Sequence, residues 1–512
     1  MPEEKTEIGT VITSMNGPSP IELDFVVTEG NVHRGQFVEL DYSEGTMVCM
    51  VTNVMKTNRY FERAEAVKEF EASGRKLFEQ FPASEWEYLL AKTHPVGVYQ
   101  QGKLKRASFP PSPGTKVKIA SPQILKNFLG FEENGLHWGE LEYHPVSVKL
   151  NLSRLLKKHI AILAQSGFGK SIAVKSLIEE ALSRKKEEGR IAIVVMDAHG
   201  EYTNFAEAAP KNAKNYSHQT LVVNAPDVRM GVPKLNVNLI SSIVSGLSNP
   251  QKRVLQRILK NLQEEMRSGM GPFDFATVKK AIGNDSEVKG ETQTILQSWI
   301  GILEDLRLFA KTDLPSVSDL VKPGQLTVID LSSIIDQRKK QIIVSHFANT
   351  LFHERQKGKV PPFLLVIEEA HQFCAEKTKE ENSISKRIIE TISREGRKFG
   401  ASLCLVSQRP VHLSTTALAN CSSHLILHIS NPYDLKHIGE SSEGIDHDAE
   451  RMISGLRVGE ALLVGEAVNF PVFFKVRKNY SADSRHEKTM EQAAREFEEA
   501  KSLVEKEAEE FL

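Results

Sequence analysis

Cysteine is scarce. The 512-residue chain carries four, Cys49, Cys374, Cys404 and Cys421, and none stands at metal-ligand spacing from another. Three lie in apolar runs, so they read as buried free thiols in a reducing compartment rather than as a disulfide framework. Long apolar stretches are missing too: no run reaches membrane length and no N-terminal apolar leader core is present. A soluble, cytoplasmic protein with no membrane segment is expected. Charge excess is also lacking. Lys and Arg number 65 against 66 Asp and Glu, for a net charge of −1. Any nucleic-acid contact must therefore be a local patch or a channel lining, because the surface as a whole is not basic.

The length suffices for two to four domains. Residues 6–54 alternate apolar and polar in short runs broken by Gly and Pro, the pattern of a small antiparallel barrel. The pattern turns charged and helical from Arg59 to about Ala91, which predicts a helical insertion at about 60–91. Strand signals return at His94–Tyr99 and Thr115–Ala120. This barrel, residues 1–145, holds no acid, histidine or cysteine cluster and reads as a structural adaptor. From about 146 to 480, strands and helices alternate as in a parallel α/β sheet. The short, wholly apolar runs Ile191–Met196, Leu326–Ile329, Phe363–Ile367 and Leu403–Val406 predict central strands covered on both faces. A helical insertion is expected at about 241–312, and residues 481–512 read as one charged C-terminal helix.

Within this frame the segment His159 to Ser171, HIAILAQSGFGKS, stands out. An apolar strand leads into a small, glycine-bearing loop, and Lys170-Ser171 open a helix. Gly167 and Gly169 let backbone amides turn toward a polyphosphate, and the helix N-terminus adds its positive end. The pattern predicts ATP binding by Ser166, Gly167, Phe168, Gly169, Lys170, Ser171 and Ile172. Lys170 would reach the β- and γ-phosphates and the Ser171 hydroxyl would ligate Mg2+.

Three apolar strands end in acids: Asp197, Asp330 and the pair Glu368-Glu369. Acids at strand C-termini line the crevice where open α/β sheets bind ligands. Glu368 is assigned to the Mg2+ shell and Glu369 to the attacking water. Asp330 reads equally well as a turn cap, and His371 as a partner of the acids or as packing. Asp197-Ala-His-Gly-Glu-Tyr202 is denser than a turn requires; Asp197 and Glu201 are placed beside the nucleotide, in preference to a metal trio with His199. Gln408 ends the next strand and is positioned to sense the γ-phosphate. Arg394 and Arg397 precede that strand; they read as arginines supplied in trans to a neighbouring subunit's site or as ordinary helix-surface residues. Lys377 and Lys379 follow in the polar loop after Glu368-Glu369.

Taken together, VHRGQFVEL, HIAILAQSGFGKS, VVMDAHGEY, LLVIEEAH, SREGRKFG, SQRP and GEALLVGEAVNFPVFFKV resemble, in order, the HerA family, hexameric archaeal and bacterial DNA translocases related to FtsK. The departures are Ala164 for Gly, Gln165 and Phe168 in the loop, and Glu368 for Asp. The resemblance implies a RecA-like ATPase behind an N-terminal barrel, a homo-hexamer that moves double-stranded DNA, and DNA end resection beside a NurA-type nuclease. It favours Arg394 over Arg397 as the finger, and with a DNA-filled pore it makes Lys377 and Lys379 the candidate DNA contacts. Two rivals are a conjugation- or secretion-type motor moving another polymer, and a non-enzymatic nucleotide-gated scaffold. Glu369 argues against the scaffold, since a binding-only site has little need of a water-orienting acid.

Overall fold

The computed structural model describes residues 7–482, apart from 14–16, 59–60, 62, 75–85, 101, 210–213, 245, 289, 378–383, 443–444 and 446, together with 490–492 and 494–499. The chain divides into two compact units, residues 1–154 with 443–477, and residues 155–442 with 478–512.

The first unit opens with a closed barrel. Its strands Leu23–Val27, Glu7–Ile12, Lys116–Ile119, Phe37–Tyr42, Gly45–Asn58 and Glu87–Gln100 pair in that order, and the last pairs back onto the first. Closure pairs each of these six strands on both sides, and a short seventh strand, Lys103–Lys105, hangs on Glu87–Gln100. The two long strands carry register shifts at Val48/Cys49 and Val51/Asn53, and such bulges bend a strand around a small barrel. Phe25, Val38, Met47, Cys49 and Val98 fill the interior. Strands press so closely at Gly9 that a Cβ would stand 2.4 Å from the Val26 carbonyl.

The helical insertion is shorter than the charge pattern suggests. Only Ala64–Ala72 is described as α-helix, and Glu87–Ala91 already belong to a strand. Their pairing with both Leu23–Val27 and the end of Gly45–Asn58 overrides the local composition. The first unit also holds an antiparallel group, Glu460–Gly465, Val472–Val476, Leu136–Leu141 and Ser147–Leu150. Residues 443–477 therefore join the first unit rather than the second, a partition that a division at 145 does not capture, because Val472–Val476 pairs with Leu136–Leu141. Most of the expected C-terminal helix lies outside the described residues; 490–492 and 494–499 are helical.

The second unit is built on a parallel sheet. We number its strands β1 (Ile160–Leu163), β2 (Ala192–Asp197), β3 (Thr220–Asn224), β4 (Leu326–Asp330), β5 (Phe363–Ile367), β6 (Ala401–Ser407) and β7 (Ser423–Ile426). Their order is β3-β4-β2-β5-β6-β1-β7. The main flanking helices are α1 (Lys170–Leu182), α2 (Gln337–Gln356) and α3 (Lys386–Glu395). Every residue of β1, β2, β5, β6 and β7 is buried, as central strands covered by helices require. The connection between β3 and β4 is largely helical, with Val237–Ile243, Asn249–Glu265, Phe275–Asn284, Gly290–Asp305 and the short Val317–Leu320. The register aligns Asp197 with Asp330, Met196 with Ile367, and Leu163 with Ser407. All three acid-ending strands and the phosphate loop thus emerge at one edge, with β5 and β6 between β2 and β1.

Among the buried histidines of these units are His144, His159 and His424. His144 Nε2 accepts the Phe37 amide at 3.0 Å, His159 Nδ1 accepts the Leu403 amide at 3.0 Å, and His424 is likewise buried. Burial pushes each down to about 4. An unfolded histidine titrates near about 6.5, so between these values the unfolded chain binds more protons. Stability that is present above about pH 6.5 is therefore expected to be lost as pH falls toward 4. Denaturant melts at graded pH should show proton uptake on unfolding in that window; a midpoint that stays level from pH 7 down to 4.5 would contradict it.

Candidate active site

The phosphate loop forms as its sequence predicts. Gly167 has φ +84° and Gly169 φ +95°, conformations that L side chains rarely adopt. Gly169 caps α1 in the left-handed region, and Lys170 and Ser171 follow as its first residues. Ala164, in place of glycine, is buried, and its amide donates to the Ser407 carbonyl at 3.2 Å. The other two departures have partners beyond β7. The Gln165 amide donates to the His428 carbonyl and its Oε1 accepts from Ser430 Oγ, each at 3.0 Å. Phe168 stacks on His428 with ring centres 4.0 Å apart. These contacts dock the loop onto residues 428–430, and no local sequence pattern marks His428 for that task.

Glu368 and Glu369 are neighbours in sequence but face different surroundings. Glu369 has φ +49° and ψ +45°, a left-handed conformation that costs a non-glycine residue roughly 1–2 kcal/mol. Such strain persists where the surroundings impose it, often at functional sites. The turn brings Glu369 Oε1 to 2.6 Å from Lys170 Nζ. Its Oε2 lies 3.3 Å from His371 Nδ1, and His199 Nε2 is 3.9 Å from Oε1. The same His371 nitrogen is 3.1 Å from Ser407 Oγ. Lys170 with Glu369, and His371 with Ser407, are thus two hydrogen-bonded pairs set side by side where α1, β5 and β6 meet, and Glu369 Oε2 between them is buried without a donor. Gln408 follows Ser407 directly and is half-buried.

Glu368 completes the strand end and is wholly buried, and neither carboxyl oxygen finds a hydrogen-bond donor. Burial, then the charges of Glu201 and Asp197, hold its carboxyl well above the usual range. Glu201 Oε2 is also buried without a partner. Such an acidic pocket calls for a cation or a proton. Among the described residues no group of three or more His, Cys, Asp or Glu is arranged to hold a metal by itself. A Mg2+ brought by nucleotide phosphates needs only one or two protein oxygens, and the Ser171 hydroxyl with the orphaned Glu368 carboxylate fits that demand.

Asp197 has a different task from the one its position suggests. Its Oδ1 accepts the amides of His199, Gly200 and Glu201, and its Oδ2 that of Tyr202, at 2.8–3.2 Å. Both oxygens are occupied by the turn itself, so Asp197 organises the loop that carries His199 and Glu201 rather than reaching for a nucleotide. Burial, outweighing these donors, still raises its pKa. Asp330 is a turn cap: its Oδ1 accepts the Ser332 amide at 2.9 Å.

Arg394 and Arg397 are exposed and lie at the other end of β6, where α3 runs into the strand's first residue. His159 Nε2–H donates to the Ser393 carbonyl at 3.0 Å there. A Cβ on Gly396 would meet the Ala401 carbonyl at 2.3 Å and the His159 ring at 3.1 Å, so only glycine fits. The strand β6 is seven residues long, which at ~3.3 Å per residue puts these arginines roughly 20 Å from their own phosphate loop. Lys377 borders an open cleft of about 770 Å³ that it shares with His371, Gln372, His412, Thr415 and His437. Lys379 lies outside the described residues.

Sequence reasoning also passed over Glu179. It is buried in α1, and its carboxylate accepts the amides of Tyr480 and Ser481 at 2.8–3.0 Å, tying residues 480–481 to the phosphate-loop helix.

The family model described as "Helicase HerA, central domain" matches residues 136–351. A probable helicase of Methanocaldococcus jannaschii is 28% identical over 487 residues, covering 89% of this chain and 88% of that protein. The DNA double-strand break repair helicase HerA of Sulfolobus acidocaldarius is 27% identical over 491 residues, covering 90% and 92%. Among solved structures, VirB4 of Thermoanaerobacter pseudethanolicus matches with a TM-score of 0.52 at 14% identity, over 68% of this chain and 97% of that one, a likeness of fold. The similarity to these relatives runs through both units, and the motifs it spans are those that build the phosphate loop and its acids: residues 136–351 match the HerA helicase central domain, and most of the chain is similar to HerA-type helicases.

Proposed function

We propose that this ATPase is a homo-hexameric ring motor that translocates on double-stranded DNA and serves DNA end resection with a NurA-type nuclease. One observation carries the reading. Lys170 and Glu369 meet at one edge of the sheet, while two arginines stand exposed at the opposite edge, too far to serve the same site. A site incomplete within one chain suits a head-to-tail ring, in which each subunit completes its neighbour's. The names of the relatives as DNA repair helicases support DNA as the polymer.

In this reading ATP lies on the loop of Ser166–Ile172, with Lys170 on its phosphates and Gln408 sensing the γ-phosphate. Ser171 and Glu368 are the residues that would hold a Mg2+, which would supply neutralisation of the phosphate charge. Glu369 takes the proton of the attacking water. Lys377, beside the open cleft, and Lys379 are the proposed DNA contacts. No helix among the described residues is long and apolar enough to cross a membrane, which disfavours the membrane-bound conjugation and secretion motors, the alternative reading for this fold.

ATP turnover with and without linear duplex DNA tests the proposal. Turnover is expected to rise with DNA, and the effect to weaken steeply with salt, because each phosphate contact releases counterions with a slope of about −0.9 in log–log form. Turnover indifferent to DNA would favour the other polymer. Among its described residues the barrel unit shows no group that could hold a metal ion, and it is the proposed nuclease dock; removing residues 1 to about 145 should abolish nuclease pull-down, and undiminished pull-down would place the dock elsewhere.

A further inference from the structure

We propose that His371 is the positioning residue that holds Glu369 in its catalytic orientation once Lys170 has left it. The inference rests on the ATPase reading of the site. The two oxygens of Glu369 are placed differently: Oε1 pairs with Lys170 Nζ at 2.6 Å, whereas Oε2 is buried without a hydrogen-bond donor and has His371 Nδ1 at 3.3 Å. The lysine is a temporary partner, because phosphates claim it when nucleotide arrives. Its departure frees Oε1 to face the attacking water. It also removes the close donor that fixes the carboxylate, whose last torsion is otherwise broad.

His371 is built to remain. It sits in the short helix Ala370–Phe373 that the strained Glu369 turn begins. Its ring reaches across to Ser407, at 3.1 Å, and Ser407 Oγ also accepts the Arg409 amide at 3.1 Å. Ser407 in turn receives the Ala164 amide on its carbonyl. The acid is thus indexed, through one imidazole, to the strand beside the phosphate loop. An ionised carboxylate only accepts hydrogen bonds, so His371 holds Glu369 in the tautomer protonated at Nδ1, with that one N–H shifting from Ser407 Oγ to Glu369 Oε2. The 3.3 Å separation is longer than a formed hydrogen bond, and catalytic contacts in free sites commonly tighten on substrate binding. His371 touches neither water nor phosphate in this scheme; it acts through Glu369.

The test is a substitution series on the full-length assembly: His371→Ala, His371→Asn and His371→Gln. An Asn amide can donate from near the Nδ1 position, whereas a Gln amide lies near Nε2. Steady-state ATP hydrolysis and binding of a fluorescent ATP analogue are measured for each. His371→Ala and His371→Gln are expected to lower kcat by roughly 10- to 100-fold, the loss that follows a misplacement of order 1 Å, with KM and nucleotide affinity little changed. His371→Asn should recover most of kcat. Equal rates for Asn and Gln, an unaltered kcat in Ala, or a loss confined to nucleotide affinity would each overturn the proposal. If Ala does not fold, the Asn and Gln pair decides it; failure of all three to fold would assign His371 to stability alone. Wild-type protein that hydrolyses no ATP would remove the ATPase reading and this inference with it, whereas active wild-type with an unaffected Ala variant removes only the inference.

Discussion

Glu369→Gln is expected to bind ATP at least as tightly as wild type while hydrolysing it about 10²–10⁴-fold more slowly, the usual worth of a positioned acid or base. The slow chemistry follows from losing the one carboxylate that reaches both the phosphate-binding lysine and an orienting histidine. The undiminished binding follows from the resting ion pair. Lys170 and Glu369 are mostly buried, with side chains 11% and 2% exposed, and sit 2.6 Å apart. Nucleotide must draw the lysine away from that partner before it can be held. A glutamine competes less for the lysine, so part of that opposition disappears. Lys170→Ala, by contrast, should lose tight binding or turnover. Equilibrium binding of a fluorescent ATP analogue and single-turnover hydrolysis separate the two effects. Normal hydrolysis in Glu369→Gln would mean that another group handles the water, and Glu201, with its buried unpartnered oxygen, would be examined next.

The second large effect concerns Arg394. Its alanine variant is expected to lose on the order of 10³-fold in kcat, as when an arginine finger is removed, without losing nucleotide binding in its own subunit. Intramolecular geometry is the reason. The residue stands at the opposite end of β6 from Gln408 and is held there by Gly396 packed against Ala401 and His159. Mixing Lys170→Ala with Arg394→Ala subunits should then restore partial activity. In a head-to-tail ring mixed at random, about one junction in four joins an intact loop to an intact arginine. Coupling between sites would reduce the recovery below that share. The same mixture with Arg397→Ala distinguishes the two arginines. No recovery in rings shown to be mixed would count against the trans assignment, and a fully active monomer would exclude it.

The amino-acid sequence by itself determined the phosphate loop, the apolar strands and the acids at their ends. Each is written in a short window: glycines where φ must be positive, four to seven apolar residues where both faces are covered, and a polar residue where a strand meets solvent. The family likeness was legible for the same reason, since it is a series of such windows in order. What only the tertiary structure decided is which side chains meet. Asp197 and Glu369 occupy similar places after similar strands. One is taken up by four amides of its own turn, and the other is swung onto a lysine 199 residues away. The pairing of Val472–Val476 with Leu136–Leu141 drew residues 443–477 into the first unit. The seating of Phe168 on His428 was likewise invisible, whereas the place of Arg394 ahead of β6 could be read from the sequence. Local pattern reports whether a residue is buried and how its backbone bonds. Partnership between polar groups depends on the strand order that brings distant segments together, and that order is set by the packing of the whole sheet.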